Sequence, residues 1–79
     1  MLLAKDMNQT EYRLLDELIK LRKDKGLSQS DLAAKSGNKQ QAISRIENKL
    51  ISPTLKTICT ILDVLDYDIL LIPRESEFR

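Results

Sequence analysis

Ser28-Gln29-Ser30-Asp31-Leu32-Ala33-Ala34-Lys35-Ser36-Gly37-Asn38-Lys39-Gln40-Gln41-Ala42-Ile43-Ser44-Arg45-Ile46-Glu47 is the stretch on which the fold turns. Ser28 followed by Asp31 has the form of a capping box, with Asp in place of the usual Glu. A short helix therefore starts there, turns Leu32 and Ala33 inward and stops at Gly37. Asn38 is suited to cap a second helix that runs to about Glu47. At about 100° per residue, Ala42, Ile43 and Ile46 fall within one arc of that helix. Gln40, Gln41, Ser44, Arg45 and Asn48 fall on the opposite arc.

That polar arc lacks the Glu–Lys pairs of a merely solvated face. Its groups are amides, a hydroxyl and a guanidinium, the types that read base edges: Gln bonds bidentately to adenine, Arg to guanine. A soluble surface that happens to be rich in Gln has the same composition, so the spacing has to decide. Two short helices joined through a glycine have the size of a helix-turn-helix unit. In such a unit the second helix enters the major groove with its N-terminal residues at the bases. Here that end is Lys39-Gln40-Gln41. The first helix of the unit starts at Ser28-Gln29, where free amides and the positive dipole end would face a phosphate.

Outward from this core the chain continues in helical periods. A first helix is expected from Gln9 to Lys25, with Leu14, Leu15, Leu18, Ile19 and Leu21 as its apolar face and Gly26 as its stop. Ser52-Pro53 reads as the start of a fourth helix, whose inner face is Leu55, Ile58, Cys59, Leu62 and Leu65. Tyr67-Asp68-Ile69-Leu70-Leu71-Ile72, closed by Pro73, reads as a strand. The expected organisation is an N-terminal arm at 1–8, a helical domain at 9–66, a strand segment at 67–73 and a loose tail at 74–79. The fold class is all-α, with four helices and one C-terminal strand.

Arg22 projects between Leu15, Leu18 and Ile19, in the middle of the first helix's apolar face. A buried charge without a partner is costly. Glu47 lies at the edge of the third helix's apolar arc, beside Ile43. An Arg22–Glu47 salt bridge is expected, the alternative being an arginine that snorkels to solvent.

Composition narrows the function. The chain has 79 residues, enough for one domain. Net charge is only +1, but residues 20–50 carry eight Lys/Arg against three Asp/Glu, while the two flanks are acidic. Positive charge concentrated in the helix pair fits a surface that faces phosphates; ordinary surface lysines would give the same count. Two Tyr, one Phe and no Trp disfavour a base-stacking sheet. There is no His, and the one Cys, Cys59, lies on a helix face expected to pack in the core. Metal binding and nucleophilic catalysis therefore lack their side chains, and neither an enzyme nor a cofactor is expected. Asp63, Asp66 and Asp68 read as solvent charges. The N-terminal apolar run is too short for a signal peptide and no stretch approaches a membrane span, so a cytoplasmic location without membrane contact is expected.

Leu27-Ser28-Gln29-Ser30-Asp31-Leu32-Ala33, then Gly37, then Gln41-Ala42-Ile43-Ser44-Arg45-Ile46-Glu47-Asn48, then Ser52-Pro53-Thr54-Leu55, resembles the phage-repressor/Cro (XRE) family of helix-turn-helix regulators. The resemblance covers about residues 14–66. It implies that the residue matching Gln29 contacts a phosphate, that those matching Lys39, Gln40, Gln41, Ser44 and Arg45 face the groove, and that an Arg–Glu pair corresponds to Arg22 and Glu47. The family often has Gly where this chain has Lys49, so Asn48 is expected to take the left-handed turn instead. Many members continue into a fifth helix, whereas this chain ends in a strand. That ending resembles HipB-type antitoxins, whose C-terminal strand pairs with its twin in the dimer.

A lone strand leaves its backbone donors and acceptors unpaired. Met1-Leu2-Leu3-Ala4 is a poor second strand, so an identical strand from another protomer is the expected partner, with Tyr67, Ile69, Leu70, Leu71 and Ile72 at the interface. Together these readings predict a repressor that binds a palindromic double-stranded operator as a homodimer. Lys39, Gln40, Gln41, Ser44 and Arg45 read bases, and Ser28, Gln29, Asn48 and Lys49 hold phosphates. The HipB resemblance adds an antitoxin role and a HipA-like kinase toxin as partner. The alternatives are a stand-alone regulator with no toxin, or a protein-interaction adaptor on the same scaffold.

Overall fold

The computed structural model of the protein describes residues 7–74 and the backbone of Leu2–Leu3. Two short strands and four helices follow in the order β1 (Leu2–Leu3), α1 (Gln9–Asp24), α2 (Gln29–Ser36), α3 (Gln40–Glu47), β2 (Ile51–Ser52) and α4 (Leu55–Leu65). The architecture is all-α, as the periodicities predict. Residues 75–79, most of the expected tail, lie outside the described residues, as do Met1 and Ala4–Asp6 of the arm.

The caps explain where the helices begin. Asn8 and Glu11 close a reciprocal capping box at α1, and Ser28 and Asp31 close the expected one at α2. Each box satisfies two of the amides that a helix start leaves orphaned. Two expected caps are elsewhere. Asn38 does not cap α3: the N-cap is Lys39, which makes no side-chain cap bond. Asn38 instead donates to Ser36 Oγ (2.8 Å) and Thr60 Oγ1 (3.0 Å), tying the end of α2 to α4. Ser52-Pro53 does not open α4 either. Thr54 is the N-cap, its hydroxyl accepting from the Thr57 backbone N–H at 3.2 Å. Ser52 is needed one element earlier, where it is buried in β2 and donates to Glu11 Oε2 at 2.5 Å.

All four helices end in a residue with left-handed backbone: Gly26, Gly37, Lys49 and Asp66. After α3, the Leu50 N–H bonds back to the Arg45 carbonyl and the Lys49 N–H to that of Ile46. This double bond pattern satisfies the last carbonyls of the helix. The left-handed position is thus Lys49 (φ 59°), and Asn48 keeps φ −83°, contrary to expectation. The closing bonds fix the site at the second residue past Glu47, and that position falls on Lys49 whatever the side chain prefers. The Lys49 ammonium pairs with the Asp16 carboxylate of α1, which holds the turn against the first helix.

The core forms where the helices meet. Leu15 and Leu18 come from α1, Leu32 and Ala33 from α2, Ile43 and Ile46 from α3, and Ile58, Ile61, Leu62 and Leu65 from α4, with Met7 beneath. The inner face of α4 is rotated from the expected one: Leu55 is 69% exposed and Cys59 is also exposed, while Ile61, not foreseen, is buried. Leu14 is likewise 38% exposed. A face drawn wide enough to include every apolar residue overshoots, because a helix turns only a limited stripe toward a small core.

β1 and β2 are antiparallel, Leu2 opposite Ser52 and Leu3 opposite Ile51. The N-terminal apolar run, a poor partner for 67–72, thus finds its own in the loop before α4. Residues 67–73 carry no strand pairing to any described segment of the chain.

The Ser52 hydroxyl, with the Asn8 backbone N–H, holds the Glu11 carboxyl below its ordinary 4.5. The Ser28 backbone N–H and hydroxyl likewise hold that of Asp31 below 3.8. The unfolded chain takes up these protons at higher pH than the folded one. Stability present above the ordinary values is therefore lost as pH falls through the depressed ones. In chemical denaturation, stability should fall on acidification below pH 4.5, and Glu11→Gln with Asp31→Asn should flatten that limb. An unchanged slope contradicts the capping roles.

Left-handed backbone costs an L-residue about 1–2 kcal/mol. In an Asp16→Asn background, which removes the ion pair, Lys49→Gly should therefore stabilise the fold by roughly 1 kcal/mol, less the chain entropy of glycine. A loss of stability contradicts the strained turn.

Candidate nucleic-acid interface

α2 and α3 are joined through the tight turn Gly37–Lys39 and packed on α1 and α4 by their apolar faces. On α3, Ile43 and Ile46 are buried, Ala42 is half-buried, and the opposite arc is turned outward. Gln40, Gln41, Arg45 and Asn48 are exposed and Ser44 is half-buried. Lys39 stands exposed at the N-terminal end of this ridge. The Asn48 amide lies 3.4 Å from Ser44 Oγ, a long contact that leaves both groups available. The five residues expected to face a groove thus lie together on one surface, with Asn48 continuing it at the C-terminal end.

The back of α3 is fixed by a charge network. Arg22 Nε donates to Glu47 Oε2 at 2.6 Å and Nη2 to Oε1 at 2.8 Å, a bidentate pair with both side chains about nine-tenths buried. Arg22 Nη1 donates to the Leu27 carbonyl at 2.7 Å, and Gln29 Nε2 donates to Glu47 Oε1 at 3.0 Å. One guanidinium therefore joins α1, the loop before α2 and the last turn of α3, while Gln29 brings in the first turn of α2. Among the described residues every buried side-chain nitrogen or oxygen has at least one partner, so no buried atom of the ion pair is left without one.

At the N-terminus of α2 the capping box uses the amides of Ser28 and Asp31. Those of Gln29 and Ser30 are left for an outside acceptor, as at any helix start. The Gln29 side-chain amide, expected at a phosphate, is held by Glu47, so its backbone N–H is the group that remains available there. The Lys49 ammonium, expected likewise, is drawn toward Asp16. Neither partner was visible from composition. Gln29 and Glu47 are far apart in the chain and meet only when α2 and α3 cross. Ser30, not singled out by the sequence, contributes its free amide through its position alone.

An exposed polar recognition-type helix, backed by a second helix and locked by a buried ion pair, defines a helix-turn-helix domain. Comparison with known proteins agrees. The model of the family described as Helix-turn-helix matches residues 18–72, and the chain belongs to this XRE-type helix-turn-helix family. It is also similar to an uncharacterized HTH-type transcriptional regulator of Haemophilus influenzae, 38% identical over 60 residues. The matched region is 76% of this chain and 61% of that protein, so the chain spans less than two thirds of the relative's length. No described helix is long and apolar enough to cross a membrane.

Removing one partner of a buried pair strands the other charge. Glu47→Ala should cost roughly 3–5 kcal/mol in urea denaturation. Replacing both partners by apolar residues, Arg22→Met with Glu47→Leu, should recover much of that loss. An unchanged melting temperature for Glu47→Ala contradicts the locking role.

Proposed function

We propose that the chain is a DNA-binding transcriptional regulator, a repressor that reads a palindromic operator as a homodimer. The observation that carries this reading is the outward ridge of Gln40, Gln41, Ser44 and Arg45, with its back held by the Arg22–Glu47 pair. Gln40 and Gln41 offer paired donors and acceptors to adenine, Arg45 a fork to guanine, and Ser44 a hydroxyl to either. Lys39 adds positive charge where the helix enters the groove. Ser28, Gln29, Asn48 and Lys49 flank the ridge and hold phosphates, Gln29 through its backbone amide and Lys49 by exchanging Asp16 for a phosphate. Phosphate contacts set the register on the duplex and base contacts the sequence.

The dimer reading rests on the C-terminal segment. Tyr67, Ile69, Leu70, Leu71 and Ile72 are all at least 48% exposed in the single chain. A run so apolar, with no strand partner among the described residues and only the Tyr67 N–H returned to the Leu62 carbonyl, gains by pairing with a second copy. Two recognition helices related by the two-fold axis would then meet half-sites one turn of DNA apart, about 34–36 Å. The antitoxin role, with a HipA-like kinase toxin as partner, is supported by the resemblance of this ending to HipB-type antitoxins. Co-expression with an adjacent toxin frame, followed by co-purification, tests that part. Its failure leaves a stand-alone regulator.

Gel shifts on the DNA upstream of the chain's own gene, across a salt series, test the main reading. Arg45→Ala should cost about 1–3 kcal/mol per half-site and relax selectivity at one base pair of each half-site. Lys39→Ala, which removes one charge from each protomer, should weaken binding and lower the salt slope of the dimer by about 2. A loss for Arg45→Ala that is uniform over all sequences overturns its role as a reader. No binding at low salt favours the adaptor alternative.

A further inference from the structure

The segment Tyr67–Pro73 leaves α4 after the left-handed Asp66 with no positive φ of its own, and Arg74 follows in a turn that pairing would draw out into the extended run. Its first half, Tyr67–Leu70, borders a groove of about 230 Å³ with Leu18, Leu21 and Leu62. At its end the chain opens to solvent: Leu70, the last residue at the groove, is 80% exposed and Leu71 89%. In an extended segment alternate residues share a side. One side reads Tyr67, Ile69, Leu71, Pro73. The other reads Asp68, Leu70, Ile72, Arg74: acid, aliphatic, aliphatic, base. Read backwards against itself, that second series matches acid to base and aliphatic to aliphatic. It is its own antiparallel complement.

Symmetry narrows the register further. A two-fold axis through an antiparallel pair runs perpendicular to the sheet and keeps a residue and its twin on the same side. Directly opposed residues also share a side. Both conditions hold only if the axis passes midway between a residue and its own directly opposed copy, never at a level between successive residues of a strand. Centring on Leu70 sets Asp68 against an isoleucine. Centring on Leu71 sets Asp68 opposite Arg74 of the partner subunit, twice, and Leu70 opposite the partner's Ile72. If the Leu71 pair is a non-hydrogen-bonded one, Leu70 and Ile72 exchange the ladder bonds. Pro73, which has no N–H, then falls where none is needed.

We infer that the segment pairs with a second copy of this chain in that one register, centred on Leu71 and fixed by two Asp68–Arg74 ion pairs between protomers. The inference deepens the homodimer reading and rests on it. The aliphatic residues supply the buried area, and the charges select the alignment.

Cross-linking and charge exchange test the register on the full chain, in a Cys59→Ser background. A non-hydrogen-bonded pair sets Cα atoms about 4.5 Å apart, within disulfide range. With oxidised glutathione, Leu71→Cys should therefore give a covalent dimer. Leu70→Cys and Ile72→Cys, each displaced from its twin, should give little. In sedimentation, Asp68→Arg should raise the dimer dissociation constant about ten-fold, and adding Arg74→Asp should restore it to within about three-fold. Cross-linking at position 70 or 72 instead of 71, or no rescue by the exchanged pair, overturns the register while leaving the dimer. A monomer at every concentration overturns the dimer and the register together. All these positions are exposed and lie outside the helical core, so the variants should fold.

Discussion

Arg22 reaches across the first helix to Glu47, and the orientation of the recognition-type helix depends on that contact. Three donors of one guanidinium are spent on a carboxylate and a loop carbonyl, all within 2.8 Å. Apolar packing through Ile43 and Ile46 would hold α3 against the core but would set its roll only loosely, since methyl groups are non-directional. The planar fork has direction. It fixes the end of α3 about its own axis, and hence which residues are turned out. Gln29 joins the same carboxylate, so the start of α2 is fixed by the bond that fixes α3.

The helix ends bring the remaining order. Reciprocal boxes at Asn8 and Ser28 set two starts, and left-handed closures set four stops. Helices of eight residues, such as α2 and α3, are marginal in isolation and need packing and capping together. Glu11 shows how closely these duties are combined. One carboxylate oxygen closes the box at α1 and the other binds the buried Ser52 hydroxyl of β2, linking the start of the first helix to the loop ahead of the fourth.

Much of this was legible in the residues. The helical periods, the Ser28–Asp31 box and the Arg22–Glu47 pair follow from local spacing and from the cost of an unpaired buried charge. What escaped depends on contacts between distant segments. Asn38 looks like a cap until α4 supplies Thr60. Ser52 looks like a helix start until Glu11 supplies an acceptor. Leu55 and Cys59 look like core until the packing angle of α4 is known. Lys49 took the left-handed position that asparagine would fill more cheaply, because the bonds closing α3 fall on that residue. Within the ridge itself, outward direction was readable from periodicity, whereas the pairing of Gln29 and Lys49 with Glu47 and Asp16 was not.

The proposed duplex-reading ridge belongs to α3, and the proposed pairing segment follows α4. In the proposed complex, DNA meets α3 and the start of α2. Backbone amide shift mapping by NMR, on titration with a duplex from upstream of the gene, measures this directly. The largest changes are expected at Gln29, Ser30 and Lys39 through Arg45. Changes confined to α4 and residues 67–74, with α3 undisturbed, would contradict it.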